Sequence, residues 1–214
     1  MNPFGVSANG ETLVITNPDG FIEDAFTTGY LRPGNSSGRQ LSTGETAGGL
    51  DRFFYNVPTR GELNKTTAYV SYTEVPRITA SNTKDSKPVE NLYIDQAVKV
   101  ALTVSTPDTA IYYTLDGSNP STASKRYEGP FTVDQSLVIK AIAVRKDHLA
   151  SDYSVRTLLK ETPHTLPVVS ISGNPSGLLG AGGILTNADN YSEVPADFSF
   201  YEADGVLGLS ASAG

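Results

Sequence analysis

The sequence predicts an all-β protein made of small antiparallel sandwiches. Val98, Val100, Leu102 and Val104 alternate with Lys99, Ala101 and Thr103, the period-two pattern of a half-buried strand. Turn signals such as Asn17-Pro18-Asp19-Gly20 and Asp116-Gly117 punctuate the chain between such runs, because Pro presets φ and Gly accepts positive φ. Runs of helix formers are nearly absent, whereas 20 Gly and 13 Pro occur in 214 residues, a balance that favours short strands joined by turns.

Taken in order, residues 1–64 open with a hairpin. Glu11 to Thr16 is a strand, Asn17 to Gly20 the turn, and Phe21 to Phe26 the returning strand. A Gly- and Ser-rich stretch fills Gly29 to Gly49 before the aromatic run Arg52-Phe53-Phe54-Tyr55. Residues 65–90 read as a linker and strand entry, in which Ala68 to Thr73 alternate and call for a pairing partner.

Residues 74–160 form the second and clearest unit. Strands follow at Val98–Val104, Ile111–Leu115, Leu137–Ala143 and Tyr153–Leu159, with Asp116-Gly117 read as a hairpin-type turn. Pro130 confines Tyr127–Phe131 to a sheet edge, because proline donates nothing to a ladder. Several short strands with frequent turns predict a sandwich of the immunoglobulin or fibronectin-III type. Residues 161–214 add strands at Val168–Ile171 and Asp197–Glu202, with Ala203-Asp204-Gly205 as a turn. One or two strands cannot stand alone as a domain, so this segment is expected to be incomplete.

Composition narrows the function. The net charge of −7 and the lack of any basic stripe argue against a nucleic-acid partner. The absence of cysteine excludes disulfides, zinc-thiolate sites and cysteine nucleophiles. No apolar run is long enough to span a bilayer as a helix. Met1 leads straight into Asn2-Pro3-Phe4-Gly5, with no leader-like run.

The run Ala110-Ile111-Tyr112-Tyr113-Thr114-Leu115-Asp116-Gly117-Ser118-Asn119-Pro120, followed by Tyr127-Glu128-Gly129-Pro130 and Val138-Ile139-Lys140-Ala141-Ile142-Ala143, resembles the non-catalytic, immunoglobulin-like C-terminal domain of chitobiase and β-hexosaminidase. The first segment is similar to the second half of a lamin-tail domain, through Gly10-Glu11-Thr12-Leu13, Asn17-Pro18-Asp19-Gly20, Ser37-Gly38-Arg39 and Pro58-Thr59-Arg60-Gly61. Arg60 stands where that family has a second proline. The third segment resembles the entry to a CotH kinase-like region, through His164-Thr165-Leu166-Pro167-Val168-Val169-Ser170-Ile171 and Pro195 to Gly205. The order of the three resemblances implies a piece of a secreted or surface modular bacterial protein, cut at both ends. A kinase-like catalytic portion would follow Gly214, so no catalytic or cofactor-binding residue is assigned.

The remaining motifs have stronger architectural readings than chemical ones. His148 sits in Lys146-Asp147-His148-Leu149, a turn, and His164 at a segment boundary. Neither has the base, nucleophile and acid of a hydrolytic triad around it in sequence. Asp116-Gly117 and Asp19-Gly20 offer too few carboxylates for calcium, which wants six to eight oxygens. Asp189 and Glu193, with Asn187 and Asn190, are better calcium candidates, although alternating Asn and Asp also serve loops. Gly177, Gly180, Gly182 and Gly183 lack the Lys-Ser/Thr of a phosphate-binding loop. Asn35, Asn64 and Asn190 head glycosylation sequons. Tyr112 and Tyr113 are expected to flank one strand, one inward and one outward, rather than to stack on sugars.

Three functions stay open at this point. The first is a non-enzymatic structural or interaction module that joins other chains, or copies of itself, by strand addition into an assembly or filament. The second is a carbohydrate-binding accessory domain with a glycan partner. The third is the front end of a CotH-like kinase. None calls for a cofactor within these residues.

Overall fold

The computed structural model describes residues 5–39, 52–163, 165–187 and 193–213. The chain divides into two compact units, residues 1–73 with 146–149, and residues 74–145 with 150–214.

In the first unit, β1 (Thr12–Thr16) pairs antiparallel with β2 (Ile22–Thr27). The Asn17 side-chain oxygen closes the turn by accepting from the amides of Asp19 and Phe21, at 3.1 and 2.9 Å. Beyond it, β3 (Ser36–Gly38) pairs with β4 (Phe53–Tyr55). The alternating run Ala68–Thr73 finds partners here. Tyr69 exchanges both backbone hydrogen bonds with Phe54, and Thr73 donates from its amide to Leu149. Phe54 and Tyr55 are buried. The Tyr72 ring lies 4.9 Å from Phe54, and the Arg32 guanidinium sits 4.0 Å over it.

The second unit is built on two facing sheets. One carries β5 (Arg77–Asn82), β6 (Val98–Thr103) and β9 (Phe131–Val133), in the order β5-β6-β9. The other carries β7 (Thr109–Thr114), β8 (Lys125–Arg126), β10 (Leu137–Arg145) and β11 (Ser154–Leu158), in the order β11-β10-β7-β8. Val98, Val100 and Leu102 from the first interdigitate with Ile111, Tyr113, Ile139, Ala141, Ala143 and Leu158 from the second. Each large aliphatic side chain so buried contributes on the order of 1.5–3 kcal/mol. The result is the expected all-β, immunoglobulin-type sandwich. Tyr113 points into this core and stacks on Phe131 at 4.9 Å, while Tyr112 is half-buried on the opposite face.

A third sheet completes the unit. The strands β12 (Val168–Gly173), β13 (Ala196–Tyr201) and β14 (Leu207–Ala213) pair antiparallel in that order. It covers the outer face of β10 and β11, so Ile139 to Ala143 are buried without a break, on both faces of their strand. The residues 161–214 thus bring three strands, not two, and find their partner surface on the sandwich.

Two local expectations are revised. Asp116-Gly117 does not close a two-residue hairpin. The Asp116 carboxylate accepts from the Ser118 amide (3.0 Å) and hydroxyl (2.6 Å), Gly117 takes φ 79°, and Pro120 delays pairing until β8. The segment that holds Gly177 to Gly183 begins in a short helix, α1 (Pro175–Leu179), with Asn174 as its cap and Pro175 in its first turn.

Candidate interaction surface

The sheet β12-β13-β14 has its polar face inside and its apolar face outside. Ser172, Asp197, Ser199 and Tyr201 point inward and are buried. Register places Val169, Phe200 and Leu209 in one cross-strand row, and Ile171, Phe198 and Ala211 in the next. These rows face away from the sandwich: Val169 is 50% exposed, Ile171 62% and Leu209 55%. Two apolar rows on three adjacent strands form a contiguous patch, which marks an interaction surface more often than a scattered exposed residue does.

The inward polar groups explain why the sheet sits this way round. The Lys140 side chain is fully buried, and its ammonium is ion-paired with the Asp197 carboxylate, itself 10% exposed. The same Nζ donates to Asn119 Oδ1 at 3.0 Å and to the Ser172 carbonyl at 3.4 Å. Ser212 Oγ donates to the other carboxylate oxygen of Asp197 at 2.5 Å. Thr157 Oγ1 and Ser170 Oγ share a hydrogen bond of 2.8 Å, and the Thr157 amide donates to the Tyr201 hydroxyl at 3.4 Å. Leu92 donates from its amide to Gly205, and Asn91 Nδ2 to the Asp204 carbonyl at 2.5 Å, so the β13–β14 turn is fastened too. A buried lysine demands such satisfaction. Turning the sheet over would leave Lys140 against apolar side chains.

The edges of this sheet differ from those of the sandwich. Exposed edges in natural proteins are usually guarded by charge, proline or a bulge. Among the sandwich's edge strands, β5 begins with Arg77, β11 carries Arg156, β8 is Lys125-Arg126, and β9 follows Pro130. Neither β12 (VVSISG) nor β14 (LGLSASA) contains a charge or a proline, and only β14 carries a bulge, at Gly208 between Leu207 and Leu209. Among the described residues, each has a strand on one side only.

The residues singled out from sequence do not converge on a chemical centre. His148 Nδ1 lies 2.8 Å from the Lys146 carbonyl, in a turn. His164 and Asp189 lie outside the described residues, and Glu193 is exposed. No three metal-ligating side chains cluster among the described residues. The amides of Gly177, Gly180 and Gly183 donate to the carbonyls of Asn174, Ser176 and Gly180, so none of the three is aimed at an anion. Asn64 uses both ends of its amide, accepting from Thr59 Oγ1 and donating to the Arg39 carbonyl. Asn35 accepts from the Tyr72 hydroxyl, and Asn190 lies outside the described residues.

Sequence reasoning passed over Lys140 and Asp197 as a pair. The signal was present in two lone charges, Lys140 amid Val138-Ile139 and Ala141-Ile142, and Asp197 amid Ala196 and Phe198. A charge inside a strand that is apolar on both sides needs a partner, and each is the other's.

A family model for the chitobiase/β-hexosaminidase C-terminal domain matches residues 88–155. The match runs from the β5–β6 connection to the start of β11, and so covers most of the sandwich. Searches of curated proteins and of solved structures find no match for the chain. Among the described residues no helix is long and apolar enough to cross a membrane.

Proposed function

We propose that the chain is a non-catalytic structural and interaction module of a secreted or surface protein, and that it assembles with other chains by strand addition at β12 and β14. The observation that carries this reading is the combination of an outward apolar face with two edges free of charge and proline on one sheet, of which β12 also lacks a bulge. An added strand gains main-chain hydrogen bonds at the edge and places alternate side chains against the apolar rows. The accessory domain matched at 88–155 is compatible with a non-enzymatic role. The lamin-tail-like and CotH-like resemblances of the flanks fit a modular parent in which this unit spaces and docks its neighbours.

Size-exclusion chromatography across a wide concentration range tests the proposal. Concentration-dependent multimers are expected, and Leu209→Lys, a change at an exposed position, shifts them towards monomer. A folded monomer at every concentration would count against it.

The match at 88–155 also supports a second reading, a carbohydrate-binding accessory domain. Calorimetry against chitin oligosaccharides separates the two, because strand addition predicts no heat of binding there. A third reading, the front of a CotH-like kinase, requires binding of ATP with magnesium. The chain is expected not to bind it.

A further inference from the structure

We propose that Lys140 and Asn119 form an intramolecular isopeptide bond, with Asp197 as the proton carrier. The three side chains come from separate parts of the second unit: β10, the β7–β8 connection and β13. The Lys140 amine has no exposure at all, and it lies 3.0 Å from the Asn119 side-chain carbonyl oxygen while touching the Asp197 carboxylate. The carbonyl carbon is one bond beyond that oxygen, so rotation of the Asn119 side chain brings it within the 3–3.5 Å of a near-attack arrangement. Asn119 is exposed, which leaves an exit for the departing group. Ser212 fixes the carboxylate through its second oxygen, at 2.5 Å.

The chemistry closes without an oxidant, a metal or a co-reactant. Asp197 takes one proton from the Lys140 ammonium, and the resulting amine lone pair attacks Asn119 Cγ. A Nζ–Cγ bond forms and the C=O electrons move to oxygen. The proton held by Asp197 passes to the Asn119 nitrogen, the Cγ–Nδ2 bond breaks, and ammonia leaves. The attacking nitrogen gives up its second proton to that ammonia through the same carboxylate. In sum, an ammonium and a primary amide become a secondary amide and an ammonium ion, and Asp197 ends as it began. The step occurs once per chain, so it adds no enzymatic turnover. It would clip a loop of 21 residues, restricting the unfolded chain as other cross-links do.

Intact-mass spectrometry of the purified chain tests this. The wild type is expected to weigh one ammonia less than its sequence, and trypsin is expected to release one branched peptide joining the Asn119 and Lys140 regions. Asn119→Ala, at an exposed position that leaves the fold intact, and Lys140→Arg should both return the full sequence mass. Circular dichroism of Asn119→Ala verifies folding. A wild type at full mass after prolonged incubation would overturn the proposal, as would an ammonia loss that persists in Asn119→Ala. Loss of water in place of ammonia would also overturn it, because it would make Asp197 the electrophile.

Discussion

Lys140 and Asp197 hold the third sheet on the sandwich, and their charges make the attachment specific. A buried charge that loses its partner costs about 3–5 kcal/mol, so in the Asn119→Ala background, where Lys140 stays an ammonium, Asp197→Ala is expected to destabilise the protein by that amount in urea denaturation. The loss should exceed that of an apolar truncation at an exposed outer-face position such as Ile171→Ala. Glu74 offers a second test at this scale. Its carboxylate accepts from the hydroxyls of Thr106 and Ser105, both at 2.7 Å, and from both their amides. The Thr106 and Ser105 hydroxyls, foremost, pull its pKa from 4.5 to about 2. A depressed folded pKa means stabilisation that is fully present above about 4.5 and lost as pH falls towards about 2. Acid titration of Glu74→Gln should therefore lack the part of the stability loss that wild type shows in that window. A parallel loss in both proteins would contradict the assignment.

At the scale of elements, the strands with clean alternation were legible. β6, β7, β10 and β13 follow from Val98-Val100-Leu102, Ile111-Tyr113, Ile139-Ala141-Ala143 and Asp197-Ser199-Tyr201. Which face of β13 points inward was not legible, because the usual rule that apolar means inside is reversed by Lys140 on the covering strand. β14 was missed for a different reason: Leu207-Gly208-Leu209-Ser210-Ala211-Ser212-Ala213 is mostly small residues, so its strand state depends on β13 rather than on its own side chains. α1 was hidden by Gly177, a poor helix former, although Asn174-Pro175 announced a helix start. The turn after β7 gives a prediction here. Gly117 has φ 79°, and an added Cβ would come 3.3 Å from the Ser172 Cβ. Gly117→Ala is expected to cost about 1–3 kcal/mol from the positive φ alone. Thermal unfolding measures it, and an unchanged midpoint would show that the turn can relax.

At the scale of the whole molecule, the second unit is a three-sheet body in which the chitobiase-like sandwich is the middle of the chain and not a free-standing piece. Its sandwich edges carry charge or follow proline, while the added sheet presents an apolar face and edges without charge or proline. Together these features are what the proposal of strand addition at the third sheet rests on. The sandwich was readable because each of its main strands carries its own period-two alternation, even though β6 pairs with β9 and β7 with β10. The outer sheet's role depended on the pairing of Lys140 with Asp197, which are far apart in sequence, and no local pattern encodes that meeting. Amide hydrogen exchange at high and low protein concentration tests the strand-addition account most directly, since a paired edge protects its outward amides. The account predicts that the outward amides of β12 and β14, those not bonded to β13, are protected at high concentration and exchange freely on dilution, while the amides of β6 and β10 stay protected throughout. Exchange of those outward amides that is independent of concentration would contradict it.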